Sequence, residues 1–152
     1  MAEEKLTELV ARGANGTVEF AVRASGACPA LDFFENDCEQ IRAGGKEKPE
    51  STARARFAVL FQARANSIEM SAKRFKKEMG KFFAFRHEVR GIQIRFPCFQ
   101  DGTKWIVTHG FCKPGSKKGL GNWPDSEVQK ADDIRKEYFA RKQAIEKARD
   151  NS

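Results

Sequence analysis

Two dipeptides, Arg90-Gly91 and Asp101-Gly102, divide residues 82–112 into three runs, 82–89, 92–100 and 103–112, in which apolar and polar residues alternate. Alternation with a period of two belongs to strands with one buried face, and Asp-Gly is among the strongest short hairpin signals. The stretch therefore predicts an antiparallel meander, and the rest of the chain must pack against it. A fourth alternating run, Thr17-Val18-Glu19-Phe20-Ala21-Val22-Arg23, stops at Ser25-Gly26 and predicts one more strand.

The remaining periodicity is helical. Pro29 suits a first helical turn, and Leu31, Phe34, Cys38 and Ile41 follow on one face before Gly44-Gly45. Ser51 or Thr52 can cap a second helix whose apolar stripe runs from Phe57 through Leu60, Phe61, Ile68, Ala72 and Phe75 to Met79, with Gly80 as its stop. Pro124-Asp125-Ser126-Glu127 opens a last helix with Val128, Ala131, Ile134 and Tyr138 inward. Residues 1–10 suit a short helix that Gly13 and Gly16 prevent from continuing. The expected fold is α+β: a small antiparallel sheet of about four strands, two helices on one face and a C-terminal helix, in the order β-α-α-β-β-β-α. A single domain over 17–142 then has an N-terminal extension, 1–16, and a polar tail, 143–152.

Charge is segregated along this plan. Residues 72–118 hold twelve basic and three acidic residues, whereas the other 105 carry a small net negative charge, so all of the overall +7 lies in under a third of the chain. Such segregation is how a footprint for a polyanion is written in sequence. No run reaches the roughly 20 apolar residues that span a bilayer, and the acidic Met1-Ala2-Glu3-Glu4-Lys5 does not resemble a secretory signal, which predicts a cytoplasmic protein with no membrane partner. Cys28, Cys38, Cys98 and Cys112 lack close pairing and read as small buried hydrophobes; a zinc site of Cys98, Cys112, His87 and His109 lacks the short ligand spacings of structural zinc.

If both turns are two-residue loops, Val89 faces Ile92 and Gln100 faces Thr103, and the faces follow. One carries Phe83, Phe85, His87, Val89, Ile92, Ile94, Phe96, Cys98, Trp105, Val107, His109 and Phe111. The other carries Arg86, Gln93, Arg95, Lys104 and Thr108. Arg86 then lies opposite Arg95, and like charges so placed are destabilising unless an anion sits between them. A phosphate held by two guanidinium forks is one solution; a neighbouring carboxylate such as Glu88 is the other. His87 and His109 fall on the apolar face as core histidines, although a bulge near Gly110 would turn His109 outward, where an imidazole can serve as acid or base.

Arg95-Phe96, the stretch Ile106-Val107-Thr108-His109-Gly110-Phe111-Cys112-Lys113, and Pro124-Asp125-Ser126-Glu127 with Ala131 and Tyr138 resemble the RelE/ParE/HigB-type toxin superfamily of toxin-antitoxin systems. The pattern is most like its HigB-like, phage-derived branch and covers about residues 75–142. Lys113-Pro114 stands where the family often has two lysines, and Pro97-Cys98 where many members have a tyrosine.

The resemblance implies a RelE-like fold and a ribosome-associated, metal-independent mRNA endoribonuclease that needs no cofactor, neutralised by a cognate antitoxin. In that chemistry a ribose 2'-hydroxyl attacks the neighbouring phosphate, which requires a base, cations on the phosphate and an acid for the leaving oxygen. Arg86, Arg95, His109 and Lys113 are the implied catalytic group. Lys73, Arg74, Lys76, Lys77, Lys81, Lys104, Lys117 and Lys118 are the expected contacts to the nucleic acid backbone. The alternatives are a non-catalytic RNA-binding module and a ParE-like inhibitor of a protein target such as gyrase.

Overall fold

The computed structural model describes residues 5–42, 52–113 and 123–151. The strands are β1 (Thr7–Gly13), β2 (Gly16–Ala21), β3 (Phe75–Met79), β4 (Phe82–Val89), β5 (Ile92–Asp101), β6 (Lys104–Val107) and β7 (Phe111–Lys113). The helices are α1, which runs Pro29–Asp32, a π turn Phe33–Asp37 and Cys38–Gln40; α2, Ala53–Ala65; and α3, Asp125–Asp150.

The expected small antiparallel sheet of about four strands is corrected by these elements. The sheet is mixed and seven-stranded, in the order β1-β2-β6-β5-β4-β3, with β7 beside β5. Two strands lie where helix was expected. Residues 7–13 form β1, an antiparallel edge strand on β2. The second helix ends at Ala65 rather than Met79: Asn66 and Ser67 turn the chain, Ser67 at a φ of 56°, and 75–79 becomes β3 on the opposite edge. Phe75 and Met79 stand four apart, so they fit a helical stripe as well as a strand. The β2–β6 pairing is parallel, because the chain crosses from β2 through α1 and α2 before entering the meander.

Each face of the sheet has its own core. Phe20, Phe57, Phe61, Phe85, Phe96, Ile94 and Val107 fill the space between sheet, α1 and α2. Phe96 is the hub, with ring centroids 4.8 Å from Phe57, 5.4 Å from Phe61 and 5.5 Å from Phe33. Opposite, Phe82, Ala84, Phe99, Ile106, Phe111 and Trp123 pack against Ala131, Ile134 and Tyr138 of α3. That helix, helical past residue 142 to Asp150, is pinned by polar contacts: Glu137 to Arg23 Nε at 2.9 Å, and Tyr138 Oη and Lys142 Nζ each 2.7 Å from Asp101 Oδ2.

Arg90 and Gly91, both at positive φ, make the two-residue turn that sets Val89 opposite Ile92. The next turn is displaced by one residue, to Gly102-Thr103, so that Asp101 faces Lys104 and the pairing shifts by two; Gly102 takes a φ of 62°. A shift of two keeps every side chain on its face. Between β6 and β7 the register changes by one, since Val107 faces Cys98 while Phe111 faces Arg95. The extra residue lies opposite Pro97 and Phe96; the Pro97 carbonyl accepts from Thr108 N at 2.9 Å. This bulge carries Phe111 to the α3 face, a correction to its expected place. It also presses Gly110 against Phe33, so closely that a Cβ there would meet the ring at 2.3 Å.

Both histidines are buried. His87 packs edge-on to Phe57, its Nε2 accepting from Arg56 Nη1 at 3.3 Å. Burial, with Arg74 and Arg56 nearby, lowers it to about 4. His109 Nδ1 lies 2.9 Å from the Thr108 hydroxyl, and its Nε2–H donates to Glu127 Oε1 at 3.1 Å. Burial, reinforced by Lys130, lowers it to about 3, so the Glu127 contact is a hydrogen bond from a neutral ring. In the unfolded chain both rings titrate near 6.5, so the unfolded state takes up protons that the folded state refuses. Stability is full above that pH and falls as pH drops toward 4, by up to about 1.4 kcal/mol per pH unit per histidine. Urea unfolding between pH 7 and 5 should show this loss, reduced by one proton's share in His109→Gln; a flat profile contradicts the assignment.

Candidate nucleic-acid interface

The site lies on the α3 face of the sheet, beyond the apolar core that covers Phe111 and Trp123. Arg86 of β4 and Arg95 of β5 are direct cross-strand partners, and Gln93 faces Lys113 of β7. Strand alternation puts Arg95, Gln93 and Lys113 on the side of Phe111, with Lys76 of β3 one strand away on the side of Ala84. Three of the four residues of the implied catalytic group, Arg86, Arg95 and Lys113, thus share one face.

Glu78 sits among these cations. Its Oε1 is 3.0 Å from Arg86 Nε and 3.9 Å from Arg95 Nε. The Arg86 contact is an ion pair without hydrogen-bond alignment, since neither buried atom finds a hydrogen-bond partner. The carboxylate in contact with the arginines is therefore Glu78, while Glu88 acts on Arg95 through its charge alone. In sequence Glu78 is masked by a helical pattern over 75–79; the Asn66-Ser67 pair is the available signal that the helix stops early.

Other contacts fix the arginines. Arg86 Nη1 donates to the Ala72 carbonyl at 2.7 Å, and its backbone N–H to the Arg74 carbonyl at 2.7 Å. Arg95, 4% exposed, donates from Nη1 to the Ile94 carbonyl and from Nη2 to Gln93 Oε1 at 3.2 Å. Burial and the Arg86 charge lower Arg95, against the opposing pull of Glu78 and Glu88. Burial and Arg95 likewise lower Lys113, with Arg86 and Lys76 adding to the effect against Glu78. Burial is the larger cause of both shifts, and the neighbouring cations add to it. A shallow cleft of about 250 Å³ opens beside the pair, lined by Lys73, Arg74, Arg86, His87, Glu88, Gln93 and Arg95.

The other expected residues scatter. His109 is 1% exposed and engaged by Thr108 and Glu127 on the α3 side. The bulge near Gly110 is present, yet it delivers the ring into packing rather than to solvent. Lys77 is exposed on the opposite face, opposite Phe83. Lys81 stands at the far end of β4 beside α3, and Lys104 at the β5–β6 turn. Lys117 and Lys118 lie outside the described residues. Among the described residues, no three His, Cys, Asp or Glu side chains could hold a metal ion, and Cys112 is exposed rather than buried. No helix among them is long and apolar enough to cross a membrane.

Replacing Glu78 by glutamine leaves two guanidinium groups facing each other without the carboxylate that contacts both. Glu78→Gln should lose about 3 kcal/mol, the scale for breaking a buried pair, and recover more stability than the parent when sulfate replaces chloride at matched ionic strength. Thermal unfolding in the two salts measures both; equal stability and equal sulfate response would contradict the site. Comparison with known proteins finds no family model that matches the chain and no curated protein that matches it.

Proposed function

We propose that this chain binds single-stranded RNA, with the Arg86/Arg95/Lys113 face seating the phosphodiester backbone. The observation that carries this reading is the cross-strand arginine pair with the Glu78 carboxylate between its members. Like charges held opposite each other by backbone register, beside a third cation, make a place where a phosphate oxygen gains charge-assisted hydrogen bonds. Lys73 and Arg74 line the adjoining cleft, and Lys76 extends the cationic surface to the sheet edge. Such cations position the backbone and confer salt-dependent affinity with little preference for sequence.

Cleavage of bound mRNA, as in the ribosome-associated toxins that the sequence resembles, is a second reading favoured by Glu78. A carboxylate within reach of two guanidinium groups can take a 2'-hydroxyl proton while the arginines hold the phosphate. His109, neutral and enclosed, is left out of that chemistry. The toxin reading brings a cytoplasmic setting and an antitoxin whose acidic segment would cover the same cations by charge complementarity.

A labelled oligouridylate followed by fluorescence anisotropy tests binding. Arg86→Ala and Lys113→Ala should each weaken it and lower the slope of log affinity against log salt by about one; unchanged affinity in both would remove the assignment. Cell-free translation separates the two readings. Intact transcripts support binding alone, whereas cut transcripts that become intact with Glu78→Gln support cleavage.

A further inference from the structure

On the opposite face of the sheet, three partly buried rings at the rim of the α1/α2 core meet. Phe75 and Phe83 are stacked, centroids 5.5 Å apart and 10° from parallel, and Trp105 stands edge-on to both, at 5.1 and 5.0 Å. The Arg64 guanidinium lies over Phe75 at 5.1 Å and over Trp105 at 5.5 Å. Its Nε has no hydrogen-bond partner, and among the described residues no carboxylate reaches it. A cation thus lies against aromatic faces at the rim of the core.

The rings adjoin the phosphate site across one strand. Arg86 N–H donates to the carbonyl of Arg74, the residue before Phe75, so the two sites flank β3, an edge strand of the sheet. Lys76 falls on the Arg86 side and Lys77, opposite Phe83, on the side of the rings. Both lysines are exposed. Positive charge therefore continues around the edge from the arginine cleft to the aromatic cluster.

We propose that Arg64, Phe75, Phe83 and Trp105 form a nucleobase-stacking site, occupied by an unpaired base of the RNA strand whose phosphates rest on the Arg86/Arg95 face. This rests on the RNA-binding reading above and adds to it the bases, which the arginine face does not read. Aromatic faces accept any base, and an arginine plane among them extends the stacking surface, so the site takes single strands and excludes duplex, whose bases are already stacked. Lys76 and Lys77 follow the backbone as it turns over β3.

The test compares a short oligouridylate with an abasic phosphodiester chain of equal length on the unmodified protein, reading affinity by competition and tryptophan emission directly. The oligouridylate is expected to bind about tenfold tighter or more and to quench emission, while the abasic chain leaves emission unchanged. Trp105→Phe should abolish the quenching, since the other tryptophan, Trp123, is 3% exposed. Phe75→Leu should narrow the gap between the two ligands in a protein that still carries both tryptophans. Equal affinity for the two chains without quenching overturns the stacking site and leaves the phosphate site standing. A preference for bases that persists undiminished in both variants also overturns it. Binding of neither chain removes the RNA reading itself.

Discussion

Two guanidinium groups fixed opposite each other on neighbouring strands repel unless an anion lies between them. The Arg90-Gly91 turn makes that opposition unavoidable, because it sets the β4–β5 register residue by residue. Glu78 supplies the internal anion, and it can do so because β3 runs beside β4 and carries a register irregularity between Lys77 and Met79. Lys113 then joins the pair because β7 returns to β5 after the Thr108–Gly110 bulge. The site thus depends on three local backbone events acting on one sheet: a tight turn, an irregular edge strand and a bulge.

The rest of the architecture holds that sheet in place while leaving its end open. Aromatic packing of α1 and α2 on one face is centred on Phe96, the residue next to Arg95. On the other face α3 covers Phe82, Phe99, Phe111 and Trp123 and is tied down by Asp101 and Glu137. Gln93 and the charged residues 76, 78, 86, 95 and 113 lie past that cover. Arg95 is buried on the α3 face and ordered by its bonds to the Ile94 carbonyl and Gln93; the same burial makes its charge costly and sensitive to the anion beside it.

Much of this plan was legible in residue pattern alone. Alternation and two turn dipeptides placed β4, β5 and the start of β6, and register arithmetic set Arg86 against Arg95. The displaced Asp101-Gly102 turn did no harm, since a slip of two residues preserves the faces. What stayed hidden has a physical reason in each case. Residues 75–79 satisfy a helical stripe and a strand equally, so β3 and with it Glu78 were absorbed into α2. Residues 7–13 contain too few strongly apolar residues to announce an edge strand, and an edge needs few. A bulge near Gly110 was in view, but its outcome, Phe111 re-aimed to the α3 face and His109 kept enclosed, depends on long-range packing such as that of Gly110 on Phe33, which no local window contains.

The account turns on whether Arg86 and Arg95 act together on one anion. Side-chain Nε–Hε resonances of the arginines, followed by NMR during titration with oligouridylate, measure this directly. The signals of Arg86 and Arg95 should move together and saturate at one equivalent, while Arg23, paired with Glu137 at 2.9 Å on the far side of the fold, stays still. Stationary Arg86 and Arg95 signals under saturating RNA would contradict it.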